Sequence, residues 1–261
     1  MRRITPIVEV LIFLNIISLF AQYFLGINMI EIFGLRYFES VYFRPYQIVT
    51  HLFVHASFLH LFNNMFALYT LGPVLETTLR PKRFLLFYLF TGIGAAALSS
   101  LVQYADIHRI STLYHEYCAN PNPDRFQSYI GHFSQSIYRL YYNFSNSFFN
   151  FPTDVGYIEK SKSIAKMLYL LKVNIPTVGA SGVIFGILVA FAMLFPNAEL
   201  FLFFIPIPIK AKYFVLVYSV YELYASLEMN SSDNIAHIAH VGGVLFGYLF
   251  IKMWKKKAEF W

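Results

Sequence analysis

Long apolar runs alternate with short polar or basic segments, and this pattern predicts six membrane-spanning helices. A helix needs about 20 mostly apolar residues to cross a hydrocarbon core of about 30 Å. The predicted spans cover residues 7–26, 51–71, 84–102, 178–195, 213–227 and 235–254. Arg2 and Arg3 precede the first run, but no convincing cleavage site follows it, so we interpret this run as an uncleaved span.

Residues 103–177 break the pattern, because they are polar and rich in Tyr, Asn and Ser. They predict a long extramembrane insertion between the third and fourth helices of an all-α membrane protein. Within it, residues 161–172 are expected to form an amphipathic helix whose apolar side carries Ile164, Met167, Leu168 and Leu171. This stretch is too short to cross the bilayer, so we expect it to lie on the interface. Further along, Asp233 is a predicted cap of the last helix.

Composition and charge agree with a membrane protein. Hydrophobic residues make up 57% of the chain and charged residues 13%, and the mean hydropathy is +0.53. The net charge of +6 comes from basic clusters beside the spans rather than from a nucleic-acid-binding surface. The positive-inside rule then predicts that both termini are cytoplasmic and that the insertion lies outside. We expect a multi-pass protein of a bacterial inner membrane. The single cysteine, Cys118, excludes an intrachain disulfide and a cysteine-based zinc site.

The fourth span begins with a serine among small residues, in the sequence Gly179-Ala180-Ser181-Gly182. From Ser181 to Phe195 a helix is about 22 Å long, which places Ser181 about 8 Å below one surface of the core. The irregular backbone before it must then be buried in protein or line a wet cavity. The alternative is a short helix with a small-residue packing face.

The last span carries His240 at a similar depth, with Gly243 and Gly247 on the same helix face. A second small-residue face, formed by Gly182 and Gly186, would let the two backbones approach closely. A serine hydroxyl needs a base within hydrogen-bond reach to act as a nucleophile, so Ser181 and His240 are the candidate nucleophile and base. His237 competes for the role of base, and a merely packed His240 is the other alternative.

The second span contributes His60 and Asn64, which are four residues apart and share a helix face. They offer two neutral hydrogen-bond donors of the kind that stabilise an oxyanion. His51 and His55 form another such pair, which we expect to tie the first loop, residues 27–50, to the bundle. A metal site is less favoured here, because there is no HExxH motif and no membrane carboxylate is expected nearby.

These residues together resemble the rhomboid intramembrane serine proteases. The matching stretches are His51–His55, His60–Asn64, Gly72 with Glu76, Gly179–Gly182 and Ala239–Gly247. The resemblance implies a single six-helix rhomboid-like membrane domain over residues 1–261, with residues 103–177 as an extracytoplasmic insertion. It also implies a Ser181–His240 dyad without a third acid, and an oxyanion site made of His60, Asn64 and the Ser181 amide.

The same resemblance implies a membrane-embedded first loop and cleavage of single-span membrane-protein substrates near the outer interface, without a cofactor, a metal or nucleic acid. The family often has a Trp-Arg pair in that loop, where this chain has Phe43-Arg44. An inactive rhomboid-like protein that binds membrane clients is the alternative from another functional class. A transporter is less favoured, because the sequence shows no inverted repeat.

Overall fold

The computed structural model describes residues 4–202, 205–227 and 234–258, and most of them are helical. Asp233, the predicted cap of the last helix, lies outside the described residues. The helices are α1 Pro6–Phe24, α2 Met29–Phe33, α3 Gln47–Thr50, α4 Phe58–Leu79, α5 Pro81–Ala119, α6 Pro123–Ile130, α7 Gln135–Asn150, α8 Val155–Asn174, α9 Ser181–Leu194, α10 Ala211–Leu227 and α11 Asn234–Ala258.

A small β-hairpin joins α9 to α10, so the prediction of an all-α protein is wrong for this connection. Strands β1 (Glu199–Leu202) and β2 (Ile205–Lys210) are antiparallel, and Glu199 lies opposite Lys210. The sequence of β2 contains two prolines, which remove ladder donors and therefore argue against a central strand. A two-stranded hairpin has only edge strands, so it tolerates them.

Three described helices are long and apolar enough to cross a membrane, namely Pro6–Phe24, Pro81–Ala119 and Ala236–Lys256. The helix Ser181–Leu194 is apolar but shorter. Large apolar side chains remain exposed along the outward faces of α1 and α10, among them Phe13 (60% exposed) and Val217 (69%). Such exposure is compatible with a lipid environment and not with water. The chain therefore has the character of a membrane protein, while the count of six spans stays a prediction.

Helix α9 lies at the centre of the bundle, packed between α4, α5 and α11. A Cβ atom on Gly243 would lie 1.8 Å from the carbonyl oxygen of Gly182, and one on Gly247 would lie 2.6 Å from the Cα atom of Gly186. The α9 and α11 backbones thus touch directly through the two predicted glycine faces. Glycine is required at this contact because any side chain would separate the helices.

Helix α1 is attached to α4 through Gly72 and Glu76. The Glu76 carboxylate is 1% exposed and accepts hydrogen bonds from the backbone N–H groups of Ile7 (3.1 Å) and Val8 (3.0 Å). A negative charge at a helix N-terminus satisfies donors that have no partner inside the helix. One turn away, a Cβ on Gly72 would lie 2.8 Å from a methyl group of Val8. These two residues therefore position the first helix.

The predicted second span begins later than expected. Residues His51–Phe53 form a short 3₁₀ turn, and the α4 helix starts only at Phe58, where the Ser57 side chain accepts a hydrogen bond from the His60 N–H. His51 and His55 are therefore not an i, i+4 pair on one helix. His60 and Asn64 do share α4, as predicted.

The predicted third span also extends further than expected, because α5 runs for 39 residues, or about 58 Å. This is nearly twice the thickness of a hydrocarbon core, so its second half enters the insertion. There it packs with α6, α7 and α8 around a core of its own, made of Ile110, Tyr117, Phe126, Tyr129, Ile130, Phe148, Ile164, Ala165 and Leu168. The insertion is a small helical unit with an aromatic core rather than an irregular polar excursion.

The predicted amphipathic helix is part of the longer α8, and its apolar stripe is divided. Ile164 and Leu168 are buried in the core of the insertion, whereas Met167 (49%) and Leu171 (54%) are exposed. The expectation that this whole stripe lies on the bilayer interface is wrong for the two buried residues. Their partners are the aromatic side chains of α5 and α6, which the polar composition of the segment concealed.

The glycine contact between α9 and α11 makes a prediction about stability. Gly243→Ala should lower the free energy of unfolding by about 1–3 kcal/mol, because the added methyl group collides with the Gly182 carbonyl. Thermal unfolding in detergent micelles measures the change. Leu245→Ala is the control on the same helix; this side chain is 44% exposed, so its loss should cost no more than about 0.5 kcal/mol. Equal losses in the two variants would contradict the contact.

Candidate active site

A cavity of about 860 Å³ brings together the four residues predicted to carry the chemistry. Ser181 from α9, His240 from α11, and His60 and Asn64 from α4 all border it. Three separate helices thus contribute to one site, although the residues are up to 180 positions apart in the sequence. Among the described residues, none from 103–174 borders this cavity, so the helical part of the insertion contributes no side chain to it.

Ser181 is the first residue of α9, at the predicted change from irregular segment to helix, although the predicted span began at residue 178. The N–H groups of the first helical turn have no acceptor within the helix, and the helix dipole adds a partial positive charge there. The backbone reaches this position through Gly179, whose φ is +119°. A Cβ on Gly179 would lie 2.6 Å from Cε1 of His60. Glycine therefore allows both the turn into α9 and the close approach of the His60 ring.

The irregular segment before Ser181 is held by the first loop. The backbone of Thr177 forms a two-way bridge with Leu35, and the Gly179 N–H donates to the His51 carbonyl at 2.9 Å. The His51 ring in turn donates through Nδ1 to the Gln47 carbonyl at 2.9 Å. Three backbone groups of the non-helical segment, both of Thr177 and the N–H of Gly179, are thereby satisfied inside the protein. His51 ties the first loop to the bundle as predicted, but it does so through its backbone as well as its ring.

His55 has a different role from the one predicted for it. The Asn64 amide donates to Nε2 of His55 at 2.9 Å, and Asn64 is 5% exposed. The His55 and His60 rings meet edge to face, with their centroids 4.8 Å apart. His55 therefore fixes the orientation of the Asn64 amide and touches His60. An Asn amide has two N–H donors, so the second one remains available to the cavity.

His240 lies over the first turns of α9. Its ring stacks on Phe185, one helical turn after Ser181, with centroids 4.2 Å apart and an interplanar angle of 18°. His237 lies one turn earlier on α11 and is not among the residues bordering the cavity, whereas His240 is. The placement therefore favours His240 over His237 as the partner of Ser181.

A buried carboxylate that sequence reasoning missed lies behind the two histidines. Glu222, on α10, is 2% exposed, and one of its oxygens accepts hydrogen bonds from Nδ1 of His237 (2.7 Å) and of His240 (2.9 Å). An ionisable residue inside a predicted span is itself a functional signal, and Glu222 stands alone within its apolar run. Applied to the fifth predicted span, this rule identifies Glu222.

Glu222, His237 and His240 also have side chains of the types that bind metals, and their ligand atoms lie within 4.8 Å of one another. A tetrahedral zinc site with bonds of about 2.0–2.1 Å separates its ligand atoms by about 3.3 Å. The Nδ1 and Oε2 atoms here are 2.7 and 2.9 Å apart, which is the spacing of N–H···O hydrogen bonds. The geometry fits protonated imidazole nitrogens on a carboxylate better than a metal centre.

The first loop is fixed without the Trp-Arg pair. The Arg44 guanidinium donates to the carbonyls of Phe43 (2.7 Å) and Val41 (3.2 Å), and Gln47, 1% exposed, donates to the carbonyls of Ile32 and Tyr42. Arg36 is also buried, and it bonds Glu31 and the carbonyl of Asn174 at the end of α8. These bonds connect the first loop to the last residue of α8.

A comparison with protein-family models identifies the family of this chain. The model of the rhomboid domain matches residues 42–109 and 155–257, which is more than half of the chain. The chain belongs to the rhomboid family. The match includes Ser181, His240, His60 and Asn64 within its range, and it leaves out residues 110–154, which hold the end of α5 together with α6 and α7.

Individual rhomboid proteins are similar over shorter stretches. The chain is 39% identical over 84 residues to Rhomboid-like protein 11, chloroplastic, from Arabidopsis thaliana, covering 30% of each protein. It is 35% identical over 86 residues to Rhomboid protein 1, mitochondrial, from Saccharomyces cerevisiae, covering 32% of this chain and 25% of the relative. An uncharacterized mitochondrial rhomboid protein from Schizosaccharomyces pombe is 36% identical over 86 residues, covering 31% and 22%.

The matched stretch therefore spans less than a third of the length of each of these relatives. Their names place them in chloroplasts and mitochondria, so they give no support to the predicted bacterial inner membrane. That membrane and the cytoplasmic orientation of both termini stay predictions. No solved structure matches the chain.

The contact between Gly179 and His60 can be tested with a second glycine as a matched control. Gly26 also has a positive φ, +67°, but a Cβ there would meet nothing within 4 Å. Gly26→Ala should therefore cost only the backbone strain, about 1–2 kcal/mol. Gly179→Ala incurs more backbone strain, because its φ of +119° lies outside the left-handed helical region, and it must also displace the His60 ring; together these add roughly 1–3 kcal/mol. Thermal unfolding of both variants in detergent makes the comparison, and equal shifts would show that His60 does not lie against Gly179.

Proposed function

We propose that the protein is an intramembrane serine endopeptidase that hydrolyses peptide bonds in or beside the membrane spans of other proteins. The observation that carries the proposal is the meeting of Ser181, His240, His60 and Asn64 around one cavity, in a chain of the rhomboid family. A serine at a helix start, a histidine facing it and nearby donors are the parts that acyl transfer needs.

In this mechanism Ser181 Oγ attacks the carbonyl carbon of the scissile bond. Nε2 of His240 takes the hydroxyl proton and returns it to the leaving amine, which leaves an acyl group on Ser181. Water then attacks the acyl group, with His240 again as the base. The stacking of His240 on Phe185 supports this role, because it holds the ring against the helix that begins with the nucleophile.

The oxyanion that forms during attack needs donors that are already oriented. Asn64 offers the amide N–H that His55 does not use, and the ring of His60 lies beside Gly179, two residues before the nucleophile. The free N–H of Ser181 at the start of α9 is a third donor. Donors that are fixed by their neighbours stabilise the developing charge without reorganisation, which is the source of their catalytic effect.

The substrates that fit this site are single-span membrane proteins. Ser181 lies at the start of a 14-residue apolar helix, about 21 Å long, so the nucleophile is expected within the thickness of the bilayer. A substrate bond can react there only if its segment leaves the helical conformation, since helical carbonyls are occupied by intrahelical bonds.

An inactive client-binding rhomboid-like protein is the second candidate. The family match alone favours neither reading, but retention of both Ser181 and His240 at one cavity favours the enzyme. A binding protein would not require a serine and a histidine that border the same cavity as the candidate oxyanion donors.

Removal of either proposed catalytic residue should abolish cleavage. Ser181→Ala and His240→Ala should each bring cleavage of a single-span model substrate in liposomes to background, and the double variant should be no worse than either single one, because the two residues act as a unit. Ser99→Ala is the control, since Ser99 borders the same cavity but donates to the Ala96 carbonyl.

A fluorophosphonate probe that labels the wild type and Ser99→Ala, but not Ser181→Ala, would support the assignment. Activity in His240→Ala together with inactivity in His237→Ala would instead make His237 the base. No labelling of the folded wild type would favour the client-binding protein.

The oxyanion donors should affect turnover more than substrate binding. Asn64→Ala should lower kcat by about 10²–10³-fold at similar KM, because the lost donor acts in the transition state. Asn63→Ala is the matched control: this neighbouring amide is exposed, and its removal should change kcat less than threefold. Steady-state cleavage in liposomes gives both constants. A higher KM at unchanged kcat in Asn64→Ala would make Asn64 a substrate contact instead.

A further inference from the structure

The clearest unexplained feature of the site is the buried glutamate on α10. Glu222 lies within an apolar helix whose outward face carries exposed side chains such as Leu216 and Val220. A carboxylate buried within a membrane span is costly, and such groups are rare unless they are paired and have a function. Its partners are Nδ1 of His237 and Nδ1 of His240, both on the same oxygen. The resemblance to the rhomboid proteases implies a dyad without an acid, so this contact has no counterpart in the function proposed above.

Glu222 binds the Nδ1 side of the His240 imidazole, and this determines which ring nitrogen can act as a base. A neutral histidine carries its proton on one ring nitrogen and a lone pair on the other. A carboxylate can only accept, so a hydrogen bond to Nδ1 requires the proton at Nδ1. The lone pair is then on Nε2, which is the atom that the mechanism directs at Ser181. The Glu222 contact therefore selects the tautomer that a general base needs.

The ring of His240 is held from two sides at once. Glu222 binds its Nδ1 edge at 2.9 Å, and Phe185 stacks on its face at 4.2 Å. Tyr218, one turn before Glu222 on α10, packs against Phe185, and the two ring centroids are 4.8 Å apart. Together these contacts leave His240 little freedom to rotate, so α10 orients the base.

We propose that Glu222 is the positioning residue of the active site, which converts the Ser181–His240 pair into a serine–histidine–glutamate arrangement. This inference rests on the proposed protease function. Glu222 holds His240 in the Nδ1–H tautomer and orients its ring. It also stabilises the imidazolium that forms when His240 takes the serine proton, and it remains ionised throughout. The proton moves only between Ser181 Oγ, His240 Nε2 and the leaving amine. His237 shares the carboxylate and supplies it with a second donor.

Other groups around the carboxylate do not replace it. The described titratable side chains near His240 are His237 and Glu222 themselves, Tyr218 on α10 and His60 on α4. Of these, only Glu222 has a full negative charge to offer to a protonated imidazole. A second buried glutamate, Glu76, lies at the N-terminus of α1, where it binds backbone N–H groups. The two carboxylates are similarly buried but have different partners, which makes Glu76 a matched control.

The test compares Glu222→Gln with Glu76→Gln in the full chain, using the rate constant of Ser181 labelling by a fluorophosphonate probe per folded molecule. A glutamine amide can donate to Nδ1 and so favours the wrong tautomer. Glu222→Gln should therefore lower the labelling rate and kcat by about 10²–10⁴-fold at unchanged KM. Glu76→Gln should lower the unfolding temperature but leave the labelling rate of the folded protein within about threefold of the wild type. A wild-type labelling rate in Glu222→Gln overturns the proposal.

A spectroscopic measurement separates positioning from a general structural role. In protein labelled with ¹⁵N-histidine, the side-chain resonances of His240, assigned by their loss in His240→Gln, should show a protonated Nδ1 in the wild type and a protonated Nε2 in Glu222→Gln. A wild-type His240 that carries its proton on Nε2 overturns the proposal. If Glu222→Gln does not fold, Glu222→Asp takes its place: it retains the charge and should label more slowly than the wild type at unchanged KM, and equal labelling overturns the proposal.

Two further outcomes are informative. If chelation removes wild-type activity and Zn²⁺ restores it, Glu222 is a metal ligand and the positioning role is wrong. If the folded wild type is not labelled at Ser181, or Ser181→Ala is labelled equally well, the proposed protease function itself fails. Normal labelling of the wild type with no effect of Glu222→Gln makes only the role of Glu222 wrong.

Discussion

The whole site depends on the direct contact between the backbones of α9 and α11. The Gly182 carbonyl occupies the space where a side chain on Gly243 would be, and Gly186 and Gly247 repeat the contact one turn further along. Apolar side chains gain little by packing against each other in a bilayer, since lipid is equally apolar. Helices there associate closely only where small residues permit it. The glycines place the start of α9 beside the His240 turn of α11, so they are a geometric condition for the proposed chemistry.

A second constraint follows from the first. A helix that begins at Ser181 leaves the preceding backbone without helical hydrogen bonds, and lipid cannot satisfy them. The first loop provides the missing partners through Leu35 and the carbonyl of His51. The loop is in turn held by Gln47 and Arg36, the latter reaching the last residue of α8. The insertion therefore contributes to the site indirectly, through the loop that holds the segment before Ser181, although its own core lies elsewhere.

The sequence predicted the parts of this structure that have a strong local signal. The start of α9 near Ser181 followed from small residues at the beginning of an apolar run. The α9–α11 contact followed from two pairs of glycines four residues apart, and the shared face of His60 and Asn64 from helical spacing. Predictions were wrong where tertiary contacts overrode local pattern. The 3₁₀ turn at His51 interrupts an apparently continuous span, and the aromatic core of the insertion is dispersed through a polar stretch. The β-hairpin was missed because its prolines are tolerated only at an edge.

Glu222 shows a different reason why a site can be missed. Its three-dimensional neighbours, His237 and His240, are 15 and 18 residues away on another helix, so no spacing rule connects them. Glu222 can be recognised in the sequence because burying a single carboxylate in an apolar helix costs free energy and therefore requires a compensating partner. A buried carboxylate whose partner is a backbone N–H, as for Glu76, serves the fold, because the protonation of that partner never changes. One whose partner is an imidazole can also serve chemistry, because the imidazole gains and loses a proton during turnover while the carboxylate stays fixed. The partner, rather than the degree of burial, distinguishes the two glutamates.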